Sequence, residues 1–385
     1  MKKRRISILG ATGSIGKQTL DVLDLMPNLF EVNYITANKN TVFLEEICNK
    51  YKPNGVVITD ETSYKDFVQT TNFTGRILFG DSGMEIAAGS DDNDLVLSAL
   101  VGFSGVIPTL SAIESGIPVA LANKESLVSA GNIIMSAAKI NDIPILAVDS
   151  EHSAILQCLA GESVDSVEKI ILTASGGPFR NTALEDFDKL TIQQALSHPN
   201  WTMGSKITID SATMMNKGFE VIEAHWLFNL GPDKIDIVIH PQSIIHSFVQ
   251  FTDGSVKAQL GMPDMRMPIS YALTYPKRLK YDFPRIDLVE LGHLDFQAPD
   301  YERYPCLRLA LNSLSQGGNS PAALNAANEV CVNAFLNGEI QFSQIHRIIE
   351  KVLDKMKFYD NPDLDIIIQT DKSARELTLF LIQNQ

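Results

Sequence analysis

Nowhere in this 385-residue sequence do apolar residues run for the roughly 20 positions that a membrane-spanning helix requires. Cysteine is scarce. Cys48, Cys158, Cys306 and Cys331 are widely scattered and form no C-x-x-C pair, which argues against a zinc knuckle or a disulfide framework and fits a reducing compartment. Met1-Lys2-Lys3-Arg4-Arg5 has the charge of a secretory n-region, but the apolar run Ile6 to Leu9 is cut short by Gly10 and Gly13. No h-region follows, so a cytoplasmic protein is expected. Positive charge is in deficit as well: 32 Lys and Arg against 46 Asp and Glu leave a formal net charge of -14. That balance argues against nucleic acid or a membrane surface as the main partner. A small anionic substrate stays admissible wherever cations, metal ions or helix N-termini are concentrated. Internal repeats and low-complexity tracts are missing too.

What is present is an ordinary globular balance, 45% hydrophobic and 20% charged, in a chain long enough for two or three domains. Arg5 to Leu9 is β-rich and leads through Gly10-Ala11-Thr12-Gly13-Ser14-Ile15-Gly16 into the amphipathic stretch Lys17 to Leu25. Strand, glycine turn and helix in that order form a variant dinucleotide fingerprint. The glycines admit a pyrophosphate to the backbone, and the helix N-terminus meets its charge. The next strand, Glu31 to Thr36, ends in Ala37-Asn38-Lys39-Asn40, where an NAD-specific site would place an acid. A cation with neutral amides suits a 2′-phosphate instead, so NADP(H) is expected; an ordinary polar loop is the bland alternative. Further βα alternation predicts a doubly wound parallel sheet as far as the strand Ile143 to Val148.

Strand Pro118 to Ala122 delivers Asn123-Lys124-Glu125 to the ligand edge of that sheet, where Lys124 can serve a phosphate or a carbonyl or be a solvated lysine. Ile143 to Val148 delivers Asp149-Ser150-Glu151-His152 to the same edge. If the chain stays extended, Asp149 and Glu151 point the same way and can grip one divalent cation or share one proton, although a solvated turn is the better reading of these residues alone. Beyond Ser150 the pattern loosens and a second domain is predicted. Strand Lys169 to Thr173 ends in Ala174-Ser175-Gly176-Gly177, a possible anion nest. Ser197-His198-Pro199-Asn200-Trp201-Thr202-Met203-Gly204 reads as a flexible lid. Lys206 to Asp210 is predicted as a strand and Ala212 to Phe228 as a helix, on which Asn216, Lys217 and Glu220 share one face below Ser211. Three more strands, Asp236 to His240, Ser243 to Phe251 and Ser255 to Leu260, precede a Met- and Pro-rich segment and a helical tail. The methionines of that segment suit packing and dimer contacts better than a metal.

Taken together and in order, Gly10 to Gly16, Leu121 to Leu127, Val148 to His152, Thr173 to Phe179, His198 to Gly204 and Asp210 to Gly218 resemble the 1-deoxy-D-xylulose 5-phosphate reductoisomerase family over nearly the whole chain. The resemblance implies metal-dependent rearrangement of 1-deoxy-D-xylulose 5-phosphate with NADPH reduction to 2-C-methyl-D-erythritol 4-phosphate in the non-mevalonate isoprenoid pathway. It implies a homodimer as well. Carried over by position, it places metal ligands for Mg²⁺ or Mn²⁺ on Asp149, Glu151 and Glu220. Phosphate binders fall on Ser175, Ser211, Asn216 and Lys217. Ser150 and Lys124 reach the hydroxyl and carbonyl region, with His198 and Trp201 in the lid. Cofactor contacts fall on Thr12, Gly13, Ser14, Ile15, Asn38, Lys39, Asn40, Asn123, Glu125 and Gly204; Asn38 departs from the expected glycine. The implied division is a Rossmann-like domain at 1–149, a catalytic and dimerisation domain at 150–274 with a lid at 175–205, a linker at 275–305 and a helical domain at 306–385. Two rivals are a semialdehyde dehydrogenase, which needs a nucleophilic cysteine in a glycine-rich strand end, and a non-catalytic NADP(H) sensor, which needs no carboxylate triad.

Overall fold

The computed structural model describes residues 3–197, 201 and 203–384. Contacts divide the chain into two compact units, the first made of Met1–Ser126, Ile134–Ser153 and Asp264–Phe283, the second of Leu127–Ile133, Ala154–Pro263 and Pro284–Gln385. None of the described helices is long and apolar enough to cross a membrane.

The first unit is built on seven parallel strands: β1 (Arg4–Leu9), β2 (Phe30–Ala37), β3 (Gly55–Ile58), β4 (Arg76–Phe79), β5 (Leu95–Ser98), β6 (Val119–Leu121) and β7 (Ile145–Ala147). Their order is β4-β3-β2-β1-β5-β6-β7. Such a sheet must be covered on both faces, and its central strands show it: Ile6, Ile8, Leu95, Val96 and Leu97 are all fully buried. Each contributes about 1.5–3 kcal/mol of apolar burial. The covering helices are α1 (Ser14–Asp24), α2 (Thr41–Tyr51), α3 (Glu61–Thr70), α4 (Gly80–Ala88), α5 (Val106–Glu114) and the outer parts of α6 (Lys124–Ile140), which kinks at Ala130. The helix α7 (Ser150–Cys158) begins here. The sheet order reverses between β1 and β5, so the Gly10 to Gly16 turn leaves β1 at the switch point where such folds bind ligands.

The second unit holds a mixed sheet, β11-β10-β8-β9, from β8 (Val167–Ala174), β9 (Ile235–Ile239), β10 (Ile245–Phe251) and β11 (Val256–Leu260). After the short α8 (Ile192–Ala195) come α9 (Ser205–Ala212) and α10 (Met215–Phe228). The chain returns to the first unit in α11 (Arg266–Thr274), whose Ile269, Ala272 and Leu273 join its core, and passes through the short α12 (Leu288–Leu291). A helical layer then forms from α13 (Pro305–Gln316), α14 (Ser320–Leu336), α15 (Gln344–Lys355) and α16 (Leu364–Gln383). Phe335 and Phe342 lock it together edge to face at 5.7 Å.

The Rossmann-like sheet, the mixed α+β region and the helical tail follow the sequence expectation. Three local expectations do not. Lys206 to Asp210 alternates like a strand yet is helical, because Thr208 and Ala212 one turn apart face the interior and the Thr208 hydroxyl is satisfied by the Gly204 carbonyl at 2.8 Å. The helix expected from Ala212 is broken at Met214, held at φ 59, and resumes at Met215. Asp149 and Glu151 are not on an extended segment: α7 starts at Ser150, and the Asp149 Oδ1 accepts the Ser150 N–H at 2.9 Å. The helix α4 was not expected at all, since two glycines mask its pattern.

Candidate functional site

In the first unit the glycine turn is fixed before any ligand arrives. Gly10 N–H donates to Thr36 Oγ1 at 2.7 Å and Ala11 N–H to the Thr36 carbonyl at 2.9 Å, tying the turn to β2. Gly10 has φ 86, and a Cβ there would lie 2.5 Å from the Ala99 carbonyl oxygen, so no other residue fits. Thr12 is half-buried, Gly13 and Ser14 are exposed and Ile15 is half-buried. The α1 N-terminus has no side-chain cap and no acid in its first turn, which leaves its positive end to an anion.

At the end of β2, Asn38 donates to Thr59 Oγ1 at 2.7 Å and Asn40 caps α2 by accepting the Phe43 N–H at 3.2 Å. Lys39 is 75% exposed, its Nζ 3.8 Å from Asp60. That carboxylate is engaged elsewhere: hydrogen bonds from the Ser63 N–H and hydroxyl, helped by Lys39, hold it below its ordinary range. Lys39 is thus presented to solvent beside two amides, a set that suits a dianionic phosphate. Asn123 and Glu125, by contrast, are turned into the protein. Asn123 Nδ2 donates to the Gly102 carbonyl at 3.1 Å and to Glu125 Oε2 at 2.9 Å, and the Ser126 hydroxyl donates to Asn123 Oδ1.

The start of α6 carries Lys124, whose ammonium pairs with Asp149 Oδ2 from the end of β7; the side chains are 6% and 13% exposed. Beside them the Ser150 hydroxyl donates to Glu151 Oε2 at 2.6 Å. His152, fully buried, places Nδ1 3.8 Å from the same Asp149 oxygen. The sequence reading gave His152 no role; its signal was an imidazole three residues past an acid. A half-buried carboxylate pair, one member already matched to an ammonium, is a donor set of hard oxygens that fits Mg²⁺ or Mn²⁺.

In the second unit β8 ends in Ser175-Gly176-Gly177. The Gly177 N–H donates to Ser175 Oγ at 3.1 Å, and Arg180, missed from sequence, donates to the Ser175 carbonyl at 2.9 Å. A Cβ on Gly177, at φ 65, would meet the Ser211 carbonyl oxygen at 2.8 Å, so this turn lies directly against the end of α9. Tyr304 anchors it from α13's N-cap position by donating to the Gly176 carbonyl at 2.6 Å, and burial pushes its hydroxyl up to about 12. The half-buried Ser175 and Ser211 and the first turn of α10 are therefore neighbours through one packed turn. On α10 the Lys217 ammonium pairs with Glu220 Oε2 and the Asn216 amide donates to Glu220 Oε1. Lys217 and Glu220 are only 4% and 1% exposed, so this is an interior charge pair bound by an amide. Trp201 lies 6.2 Å from the His246 ring, centroid to centroid. Gly204 caps α9 at an ordinary φ of -63 with open space around it. His198 lies outside the described residues.

All four thiols are buried, and burial together with Asp210 pushes Cys306 up to about 12. None is a poised nucleophile.

Family models match in three consecutive blocks: 1-deoxy-D-xylulose 5-phosphate reductoisomerase at residues 6–131, the 1-deoxy-D-xylulose 5-phosphate reductoisomerase C-terminal domain at 145–228, and the DXP reductoisomerase C-terminal domain at 260–377. The chain is 50% identical to 1-deoxy-D-xylulose 5-phosphate reductoisomerase of Porphyromonas gingivalis over 381 residues, covering 99% of this chain and 98% of the relative. Against the protein of that name from Pelotomaculum thermopropionicum the identity is 48% over 383 residues, 99% of each. Among solved structures, the reductoisomerase from Zymomonas mobilis in complex with NADPH superposes with a TM-score of 0.92 at 42% identity over 100% of both chains. A DOX-P reductoisomerase in complex with NADPH, fosmidomycin and magnesium gives 0.93 at 38% identity, covering 99% of this chain and 98% of that one.

Proposed function

The chain belongs to the 1-deoxy-D-xylulose 5-phosphate reductoisomerase family, and from that premise we propose how its residues divide the work. It is an enzyme, a metal- and NADPH-dependent oxidoreductase of isoprenoid biosynthesis that converts 1-deoxy-D-xylulose 5-phosphate to 2-C-methyl-D-erythritol 4-phosphate. Asp149, Glu151 and Glu220 are the proposed metal ligands. The observation that carries this reading is the pairing of acids with buried lysines, Lys124 on Asp149 and Lys217 on Glu220, which sets both carboxylates inside the protein and fixes their direction. Magnesium in the related structures supports Mg²⁺, and the same hard donors would accept Mn²⁺.

When bound, the cation supplies Lewis-acid polarisation of the ketose oxygens and NADPH supplies the hydride. The chain supplies placement. Thr12, Gly13, Ser14 and Ile15 offer the α1 N-terminus to the pyrophosphate, and Asn38, Lys39 and Asn40 recognise the 2′-phosphate. Asn123 and Glu125 stiffen the start of α6, and Gly204 completes the cofactor set. Ser175, Ser211, Asn216 and Lys217 hold the substrate phosphate, whose remote binding energy fixes the reacting carbons. Ser150 and Lys124 address the hydroxyl and carbonyl region, while Trp201 and His198, in the lid at 175–205, cover it and exclude water from the reacting carbons.

The functional partition we propose is 1–149 for the dinucleotide, 150–274 for chemistry and subunit pairing, 275–305 as connection and 306–385 as helical brace. The first of its boundaries is supported by the family blocks, one ending at 131 and the next starting at 145. A homodimer is supported by the exposed Val256 on the edge strand β11 and Met262 just beyond its end. A cytoplasmic site of action is proposed from the reduced, scattered cysteines. A semialdehyde dehydrogenase is disfavoured by four buried thiols.

The test is NADPH oxidation with 1-deoxy-D-xylulose 5-phosphate, with product identified by mass. Turnover is expected with Mg²⁺ or Mn²⁺ and loss of turnover with a chelator; equal turnover without divalent cation would overturn the metal assignment.

A further inference from the structure

Asn328 is a fully buried amide in the middle of α14, among Ala323, Ala327, Cys331 and Val332. Its Nδ2 donates to Asp210 Oδ1 at 2.8 Å, while its Oδ1 accepts no hydrogen bond from the described residues. Asp210 is itself 1% exposed, and its other oxygen lies 2.8 Å from Lys206 Nζ. Lys206 in turn lies over the Phe219 ring at 5.2 Å. Asp210 sits in the last turn of α9, where the helix dipole disfavours an anion, and its own carboxylate has been withdrawn from water. An apolar pair of the same volume would pack there at less cost, so the arrangement is not explained by stability. What it supplies is a fixed position.

That position governs the turn between α9 and α10. The Asp210 carbonyl accepts the Thr213 hydroxyl at 3.2 Å, and the same hydroxyl accepts the Met215 N–H at 3.3 Å. Between them Met214 is held in the left-handed region, which a non-glycine residue occupies only when its surroundings impose it. Ser211 lies on one side of this turn and Asn216 and Lys217 on the other. We propose that Asn328 is a positioning residue for phosphate binding: through Asp210 it sets the α9–α10 turn, and with it the spacing of Ser211 from Asn216 and Lys217. The proposal rests on the reading that those three residues hold the substrate phosphate.

Inorganic phosphate, titrated as a competitor of the phosphorylated ketose on the intact enzyme, reads this directly. N328L should weaken phosphate inhibition and raise KM roughly tenfold, the usual worth of one hydrogen bond to a charged group. Its kcat should change less, and its NADPH dissociation constant should stay at the parent value. N328D, which sets two carboxylates together, should be worse, and adding D210N should recover part of the loss. The control is N325L: Asn325 is equally buried one turn earlier on α14 but donates to Glu329 at 2.8 Å and not to Asp210. N325L should leave phosphate inhibition unchanged. If N328L and N325L lower the thermal midpoint alike and both keep the parent inhibition constant, the positioning role is overturned. Should N328L fail to fold, N328S, too short to reach Asp210, is read on the same titration. K217A separates the two levels of the argument: parent-like phosphate inhibition in K217A overturns the phosphate reading itself.

Discussion

Lys124 and Asp149 reach each other from the carboxyl ends of two neighbouring strands, β6 and β7, whereas Lys217 and Glu220 lie one turn apart on the single helix α10. Both pairs put an ammonium against a carboxylate with little access to water. The first exists only once the parallel sheet has closed and its strand ends are in register. The second forms as soon as α10 is helical, and Asn216 adds an amide to it from the same face. A local pair fixes the direction of its carboxylate through the helix backbone; a tertiary pair depends on everything that sets the two strands. The largest expected consequence follows for the local pair. Glu220→Gln should lower kcat roughly a hundredfold or more, at or beyond the upper end of what losing a metal site's supporting group costs. NADPH binding, followed by its fluorescence, should stay at the parent level, because the cofactor turn belongs to the first unit. Unaltered turnover at saturating Mn²⁺ would remove Glu220 from the ligand set.

The tertiary pair should respond differently. Lys124→Ala leaves the Asp149 carboxylate without its ammonium in a site that is 13% exposed, and removing one partner of a buried pair costs about 3 kcal/mol or more. In chelator the variant should therefore melt well below the parent, and Mg²⁺ should raise its midpoint more than it raises the parent's, since a cation restores charge balance at the same oxygen. Equal midpoints in chelator would show that the pair carries no structural charge. A smaller effect is expected where the lysine is exposed. Lys39→Ala should weaken NADPH roughly fivefold at low salt and much less at high salt, because a surface charge is screened. NADH affinity should not move; a parallel loss for both dinucleotides would assign Lys39 to the loop rather than to the 2′-phosphate.

The same contrast explains what the sequence alone could reveal. Asn216, Lys217 and Glu220 were legible because helical spacing is a local property, and the Gly10 to Gly16 turn because strand, glycines and helix follow one another directly. Lys124 and Asp149 were legible only as separate occupants of a sheet edge; nothing in their spacing joins them, and their contact needs the β6–β7 register. The segment Lys206 to Asp210 misled because β-branched alternation imitates a strand, while the interior face of α9 is set by packing. Asp149 and Glu151 were read as continuing extended from the strand that ends at Val148, whereas the helix α7 begins between them. Asn328 carried no signal at all, since a lone asparagine in an alanine-rich helix acquires meaning only when Asp210 is found opposite.

A third ionisable group marks the limit of the comparison. His346 on α15 is half-buried: burial, then Arg347, lowers its affinity for a proton, with Arg308 acting the same way and Glu350 and Asp188 only partly opposing them. Where Lys124 and Lys217 each face a carboxylate, His346 is held toward its neutral form by burial. Its folded pKa lies below the unfolded value, so above about pH 6.5 both states are neutral and stability is whole. As pH falls through that value the unfolded chain takes up the proton first, and stability is lost until the folded imidazole also titrates. His346→Gln should flatten that part of the curve in urea melts followed between pH 7 and pH 5, with little change at pH 7. A slope identical to the parent's would mean that the imidazole binds a proton equally well in the folded and unfolded chains, the neighbouring carboxylates Glu350 and Asp188 offsetting burial.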